Sequence, residues 1–461
     1  MNTTFVRICL EGLDVNTRLK FENAGTLDPA FADAGLLSFP VNGLPGFDAA
    51  AVLAVSGKKT LVGFYPSVIY GPATVARFHE DGALDTDFGK EGVVEIALEN
   101  ATMAHVLTLS ALNDGAWLLQ GTYEQEGYVE GIALVRCLPD GQQDQSFGEK
   151  GVRYLRFDQM DKPEPYEPGN AKPALRHVQR AFSSGAAAGS GMSMVEQSDG
   201  KLVVIFHVYN DESEKSRGIV LRLNADGSSD KTFNDHGFAL IDFDNSSNHA
   251  LGVAVQSDGK ILVCGRYHDQ TPGLQGGYLV RFDAFGRIDT TFNGGEVFKL
   301  KTRYEEFNAV SVRESDGLIV VAGAAAPQGA LQGALVVLNA NGSYNLVFNQ
   351  GKPLYSPLLK SGIHWKNCVV QTDGSIVVGG HGSGAYINGS DLYVAARFLA
   401  DGSLDKAFNN VGFAIFGVEG KQCYYKSMSL MDDGRIIACG YQALEYGWGL
   451  VTGGWVIRFL V

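Results

Sequence analysis

A seven-bladed β-propeller, all-β and built of four-stranded antiparallel blades, is the fold this sequence predicts. Three observations predict it. A unit of about sixty residues recurs seven times, each unit holds two glycine turns and a phenylalanine in the same phase, and the two ends of the chain are complementary parts of one unit. The bulk composition agrees. Of 461 residues 58 are glycine, 45% are hydrophobic and 19% are charged, which suits a globular chain with many turns between short strands.

The repeat is plainest at Gln256-Ser-Asp-Gly-Lys-Ile-Leu-Val-Cys-Gly265, followed by Tyr278-Leu-Val-Arg-Phe282 and Ile288-Asp-Thr-Thr-Phe292. A close copy runs Gln371 to Gly380, Val394 to Phe398 and Leu404 to Phe408. The first glycine turn falls at Gly57, Gly115, Gly200, Gly259, Gly317, Gly374 and Gly434. The second falls at Gly25, Gly82, Gly141, Gly227, Gly286, Gly342 and Gly402. A phenylalanine follows each second turn, at Phe31, Phe88, Phe147, Phe233, Phe292, Phe348 and Phe408. Successive landmarks lie 56 to 60 residues apart, except for one long step between the second and third units.

Each unit reads as four short strands. In the fourth unit the first alternates at Leu251 to Val255, the second is the apolar run Ile261 to Cys264, and the third is Tyr278 to Phe282. The fourth is short, as in Phe238 to Ile241 of the unit before. Short β-branched runs bounded by Asp-Gly turns are hairpin signals, and no stretch carries a capped helical period. An open β-solenoid, the competing repeat architecture, uses shorter units. The chain opens on a second turn and fourth strand, Gly25 to Phe39, and closes after a third strand, Trp455 to Phe459. The N-terminal strand is therefore expected to complete the last blade and remove its free edge. Residues 1–20 stand outside the repeat, residues 21–461 form one propeller, and an insertion at about 158–190 fills the long step. A loop of that length is either a lid or partner contact or a plain excursion.

These residues resemble the delta-60 repeat family of bacterial proteins. The pattern is Gln-x-Asp-Gly-Lys-Ile-Leu-Val-x-Gly, then Arg-Phe, then Asp-Gly-x-Leu-Asp-x-x-Phe, and it extends from about Phe21 to Phe459. The resemblance implies a propeller-like fold in a bacterial protein and supplies no catalytic residue. Departures are local: Ser56 precedes Gly57 in place of aspartate, and Val337 replaces the repeat arginine in the fifth unit.

The formal net charge of −14 argues against nucleic acid and anionic membranes as partners, and no basic cluster reverses it locally. No segment reaches the ~20 apolar residues of a membrane helix, and the first twenty residues lack a conventional secretory signal. The expected location is the cytoplasm, or outside it by an unconventional route. Six cysteines show no CxxC or zinc spacing, so they are expected to be reduced and structural.

No motif for chemistry stands out. Asp401-Gly-Ser-Leu-Asp405 faintly resembles a calcium loop but lacks the longer ligand run and closing glutamate, so its aspartates are expected to cap turns. The nine histidines form no HxH or HExxH motif, and Gly189-Ser-Gly191 lacks the full nucleophile elbow. No cofactor, metal ligand or catalytic residue is therefore assigned. In an antiparallel blade both tight turns lie on one face, and the variable loops lie on the other, where binding residues concentrate. Those loops carry Tyr267, His268, Trp365, Tyr386, Tyr446 and Trp448. The expected function is a non-catalytic binding or scaffold propeller that recognises a carbohydrate or a protein surface through these aromatic loops. The alternative is a hydrolase or lyase with its site at the axis, and a third reading is a structural module.

One pairing is also expected within each blade. An arginine lies five residues before the second-turn glycine and an aspartate three after it, and in the fifth unit both change together, to Val337 and Asn345. Joint loss suggests contact, because a lone buried charge is costly.

Overall fold

The computed structural model describes residues 24–41, 44, 46, 48–65, 71–156, 193–210, 215–242, 246–268, 275–300, 305–382, 392–418, 421–444 and 451–461. Seven four-stranded sheets are present, and every neighbouring pair of strands in each is antiparallel. Blade 1 shows the plan: Ala49–Val55, Lys59–Phe64, Ala73–Phe78 and Val93–Ile96 lie side by side in chain order. In blade 7, Lys421–Leu430, Ile436–Leu444 and Val451–Phe459 are completed by Leu36–Phe39, which pairs Leu36 with Ile457 and Phe39 with Gly454. The N-terminal strand thus closes the ring. Residues 1–20 and the 158–190 insertion lie outside the described residues. Among the described residues no helix is long and apolar enough to cross a membrane.

First strands of neighbouring blades pack on one another around the axis, while fourth strands form the rim. Strand pairing runs further from the turns than the apolar pattern indicates. In blade 4 the strands are Ser247–Val255 and Ile261–His268, and Ser247 still pairs with His268. Six of the eight added residues are polar or aromatic, so the backbone ladder continues where the apolar period has stopped.

Turn aspartates take the local role expected of them. The Asp401 carboxylate accepts from the Ser403 N–H at 2.8 Å, Asp258 does so from Lys260 at 3.2 Å and Asp373 from Ser375 at 2.9 Å. These are Asx turns, and the following glycine supplies the positive φ.

The repeat landmarks converge on one joint between blades. Within a blade, Arg77 Nε donates to Asp85 at 2.6 Å, Arg222 to Asp230 at 2.7 Å, Arg281 to Asp289 at 2.8 Å and Arg397 to Asp405 at 2.6 Å. Arg136 pairs with Asp144, and across the closure Arg458 donates to Asp28 at 2.8 Å. The expected pairing therefore holds in six blades. In blade 5, Asn345 instead bonds Asn339 at 2.9 Å. Four of these arginines, Arg77, Arg222, Arg281 and Arg458, also lead outward. Arg77 reaches the Pro139 carbonyl of the next blade at 2.6 Å, Arg222 that of Ala284 at 2.5 Å, and Arg458 that of Glu80 at 2.6 Å. The guanidinium carbon of Arg222 lies 4.7 Å from the centre of the Phe233 ring, and that of Arg281 lies 4.6 Å from Phe292.

The phenylalanine in turn seats against the second-turn glycine of the next blade. A Cβ at Gly227 would lie 2.9 Å from the Phe147 ring, and φ there is +82°, so this position is closed to other residues for two reasons. The N–H after each phenylalanine then donates to a turn carbonyl of the next blade: Gly89 to Asp140 at 2.9 Å, Gly148 to Asp226 at 2.8 Å, Asn234 to Phe285 at 2.7 Å, Asn293 to Asn341 at 2.8 Å and Asn349 to Asp401 at 2.9 Å. Asn409 to Ala24, and Ala32 to Asp81 at 2.8 Å, complete the circle.

The joints make two effects measurable. Arg281→Val leaves Asp289 buried without its guanidinium and should lower stability by roughly 3–5 kcal/mol in urea titration. Adding Asp289→Asn, which reproduces the Val337/Asn345 pair of blade 5, should restore a large part of that loss. A double variant no more stable than the single one would contradict the pairing account. Deleting residues 1–39 should remove the outer strand of blade 7 with Asp28 and Phe31, lowering the melting temperature of the whole domain in a single transition. A truncated chain that melts like the full one would show that closure contributes nothing.

Candidate functional site

Because the Asp-Gly turns occupy one face, the opposite face is formed where first strands begin and second strands end. Its polar groups fall into two sets around the axis. The first belongs to blades 3 to 6. Glu306 is buried, and its Oε1 accepts from Lys366 Nζ at 3.1 Å, Asn308 Nδ2 at 3.0 Å and His364 Nδ1 at 3.1 Å. Arg266 stands 3.8 Å from its other oxygen. Burial raises the Glu306 pKa, but Lys366 and His364 outweigh it and hold the carboxyl well below its usual range. His364 stacks on His381 at 5.0 Å, and His207 on His249 at 4.2 Å, with His268 edge-on to His249 at 6.2 Å. Burial, helped by neighbouring cations, lowers His207 to about 4 and His381 to about 3, so both rings are neutral at pH 7.

Blades 7, 1 and 2 provide the second set. Lys426 Nζ lies 5.4 Å from the centre of the Tyr65 ring and 5.0 Å from that of Tyr441. Tyr441 stacks on Tyr424 at 4.7 Å, and Tyr65 meets His105 edge-on at 6.0 Å. His105 is exposed and bonds Thr122 Oγ1 at 3.1 Å through Nδ1. Asp48 completes the set. Its Oδ1 is buried without a hydrogen-bond partner, and burial raises its pKa to about 6 against the pull of Lys426. Burial also lowers the Lys426 pKa, opposed by Asp48.

A β-bulge in six of the first strands positions several of these groups. At the equivalent position the skipped residues are Ala50, Leu107, Leu251, Asn308, Lys366 and Lys426, and blade 2 skips Ala104 as well. Bulges re-aim side chains, and three of the six at this equivalent position are polar. The aromatic count of the loops missed them. The signal available in the sequence was a lysine or asparagine in a repeat column that is otherwise apolar.

The residues singled out from the sequence fare differently. Tyr267 is half-buried, with Lys299 Nζ 5.3 Å from its ring centre, and His268 follows it on the same strand end beside His249. Trp365 corrects the expectation: it is fully buried, packed among Val320, Val378 and Ile363 between blades 5 and 6, because its strand turns it into the core. Tyr386, Tyr446 and Trp448 lie outside the described residues. Among the described residues no group of three or more His, Cys, Asp or Glu side chains is placed to hold a metal ion.

Fold and site define a β-propeller whose mouth is lined with titratable groups. Residues 197–233, 256–292 and 371–408 match the family model described as a domain of unknown function (DUF5122) beta-propeller. No curated protein matches the chain. Among solved structures it is similar to a protein of unknown function from Dyadobacter fermentans, at 13% identity and TM-score 0.39, covering 93% of this chain and 98% of that one. The β-propeller domain of the trilobed protease from Pyrococcus furiosus is similar at 11% identity and TM-score 0.44, covering 90% and 94%. An ulvan lyase of a polysaccharide lyase family is similar at 11% and 0.48, covering 92% and 96%.

Asp48 yields a pH prediction. Its carboxyl titrates at about 6 in the folded protein against an ordinary value of 3.8, so between those values the folded state binds more protons than the unfolded. The ionised form thus destabilises the fold above about pH 6, and this effect is absent below about pH 4. Asp48→Asn should therefore raise stability at pH 8, by on the order of 1–3 kcal/mol, and give no gain at pH 3.5. Calorimetric melting at the two pH values checks this; a lower melting temperature at pH 8 would mean that the carboxylate is stabilising.

Proposed function

We propose that the chain is a delta-60-type repeat propeller that binds a carbohydrate on the face opposite its Asp-Gly turns. One observation carries the reading. On the turn face the repeating arginines and aspartates are engaged in the blade joints, whereas at the other mouth two tyrosines stand beside the half-buried Lys426 and near a carboxylate oxygen that no donor reaches. Aromatic rings beside unsatisfied polar groups suit a ligand with apolar ring faces and a hydroxylated rim. Tyr267 and His268, with Tyr386, Tyr446 and Trp448 from the sequence, are the proposed loop contacts. Trp365 is not among them, since it has no exposed surface.

A second reading, a hydrolase or lyase at the axis, is favoured by Asp48 and Lys426 together. Burial raises the pKa of the carboxyl and lowers that of the ammonium, and perturbed groups of this kind cluster at catalytic sites.

A glycan panel screened by thermal shift and calorimetry tests the binding reading. The triple substitution of Tyr267, Tyr446 and Trp448 by alanine should weaken a binding glycan at least tenfold, with little change in melting temperature. A ligand mapped to the Asp-Gly-turn face, or binding untouched by the triple substitution, would refute it. Release of reducing ends or of unsaturated products from the same glycans would select the enzyme reading.

A further inference from the structure

Asp48 and Lys426 form an incomplete pair. The Tyr65 N–H donates to the Asp48 carbonyl at 3.2 Å and the Tyr65 ring centre lies 5.4 Å from Lys426 Nζ, so the two residues meet at one tyrosine, yet no nitrogen–oxygen contact within 4.0 Å joins their side chains. Lys426 Nζ makes no hydrogen bond or ion pair among the described residues, and Asp48 Oδ1 accepts none. Buried polar atoms without partners are rare in native proteins, and each calls for a reason.

The chemistry of the two groups narrows what fits between them. A carboxylate only accepts hydrogen bonds and an ammonium only donates them. A single hydroxyl does both, so one hydroxyl can donate to Asp48 Oδ1 and accept from Lys426 Nζ. An anion would be repelled by Asp48 and a cation by Lys426, so the fitting ligand is neutral. The Tyr65 and Tyr441 rings lie 5.4 and 5.0 Å from the ammonium, and exposed His105 stands edge-on to Tyr65 at 6.0 Å, adding a further polar group to this part of the mouth. This arrangement spans three blades and exists only because the ring is closed.

We propose that Asp48 and Lys426, walled by Tyr65 and Tyr441, form a subsite for one neutral sugar residue, with a ring hydroxyl bridging the carboxylate and the ammonium. The proposal rests on the carbohydrate reading and names the chemical class taken at this part of the mouth.

The test uses the full chain and a panel of methyl glycosides of glucose, galactose, mannose and rhamnose, with methyl glucuronide as the charged counterpart. At least one neutral glycoside should bind the unmodified protein, and the glucuronide should bind more weakly. Asp48→Asn and Lys426→Met should each weaken that binding at least tenfold. Lys406→Met, exposed on the Asp-Gly-turn face, should leave it unchanged. Should Lys426→Met fail to fold, ¹³C-dimethylated lysine spectra of the unmodified protein serve instead, and the Lys426 resonance should move on titration. Glycoside binding that persists in both variants, with a stationary Lys426 resonance, overturns the subsite and leaves the carbohydrate reading standing. Failure of every glycoside and glycan to bind overturns both.

Discussion

The joint between blades is the constraint on which the rest of this molecule depends. One blade contributes an arginine, an aspartate and a phenylalanine, and the next contributes a glycine turn and its carbonyls. The aspartate fixes the guanidinium, the guanidinium covers the ring, and the ring sits where only a glycine leaves room. Six arginine–aspartate pairs, three of them fully buried, are a weak source of net stability, because desolvation offsets much of the attraction. What the pairs provide is geometry: each sets the angle and spacing of its neighbour, and seven equal steps bring the last blade back to the first. Blade 5 achieves the same step with Val337 and Asn345, so the backbone bond and the phenylalanine suffice once the charges are lost together.

This explains why the fold could be read from the sequence. The conspicuous letters of the repeat are the parts of the joint, so their phase counted the blades and their joint substitution at Val337 and Asn345 disclosed a contact. The strand ends were less legible. Ser247 and His268 belong to a ladder held by backbone bonds, which impose no pattern on side chains. The candidate site was least legible of all. Asp48 and Lys426 are separated by most of the chain, and closure alone makes them neighbours. Trp365 misled for a related reason: a large aromatic near a strand end reads alike whether it lines a mouth or fills the space between two blades.

The two faces divide the protein's electrostatics. On the turn face, charges neutralise one another inside joints; the Asp230 carboxyl, for example, is raised by burial yet lowered to about 2 by Thr232, Lys201 and Arg222. At the mouth the departures from the repeat collect. The bulge column holds alanine or leucine in three blades and asparagine or lysine in three others, so the scaffold stays constant while one column varies its chemistry. A ring of equal blades thereby carries an unequal centre.

The closing strand has a mechanical consequence. Leu36 lies opposite Ile457 and Phe39 opposite Gly454, and the Gly25 N–H donates to the Leu460 carbonyl, so the two chain segments leave the ladder at the same end. Tension applied between Ala24 and Val461 would load these bonds one after another, as a zipper is opened, instead of all together in shear. The ring that resists heat through seven shared joints would therefore yield first at its seam, where a pull on either segment opens blade 7 and, through Ala32 and Arg458, loosens its joint with blade 1.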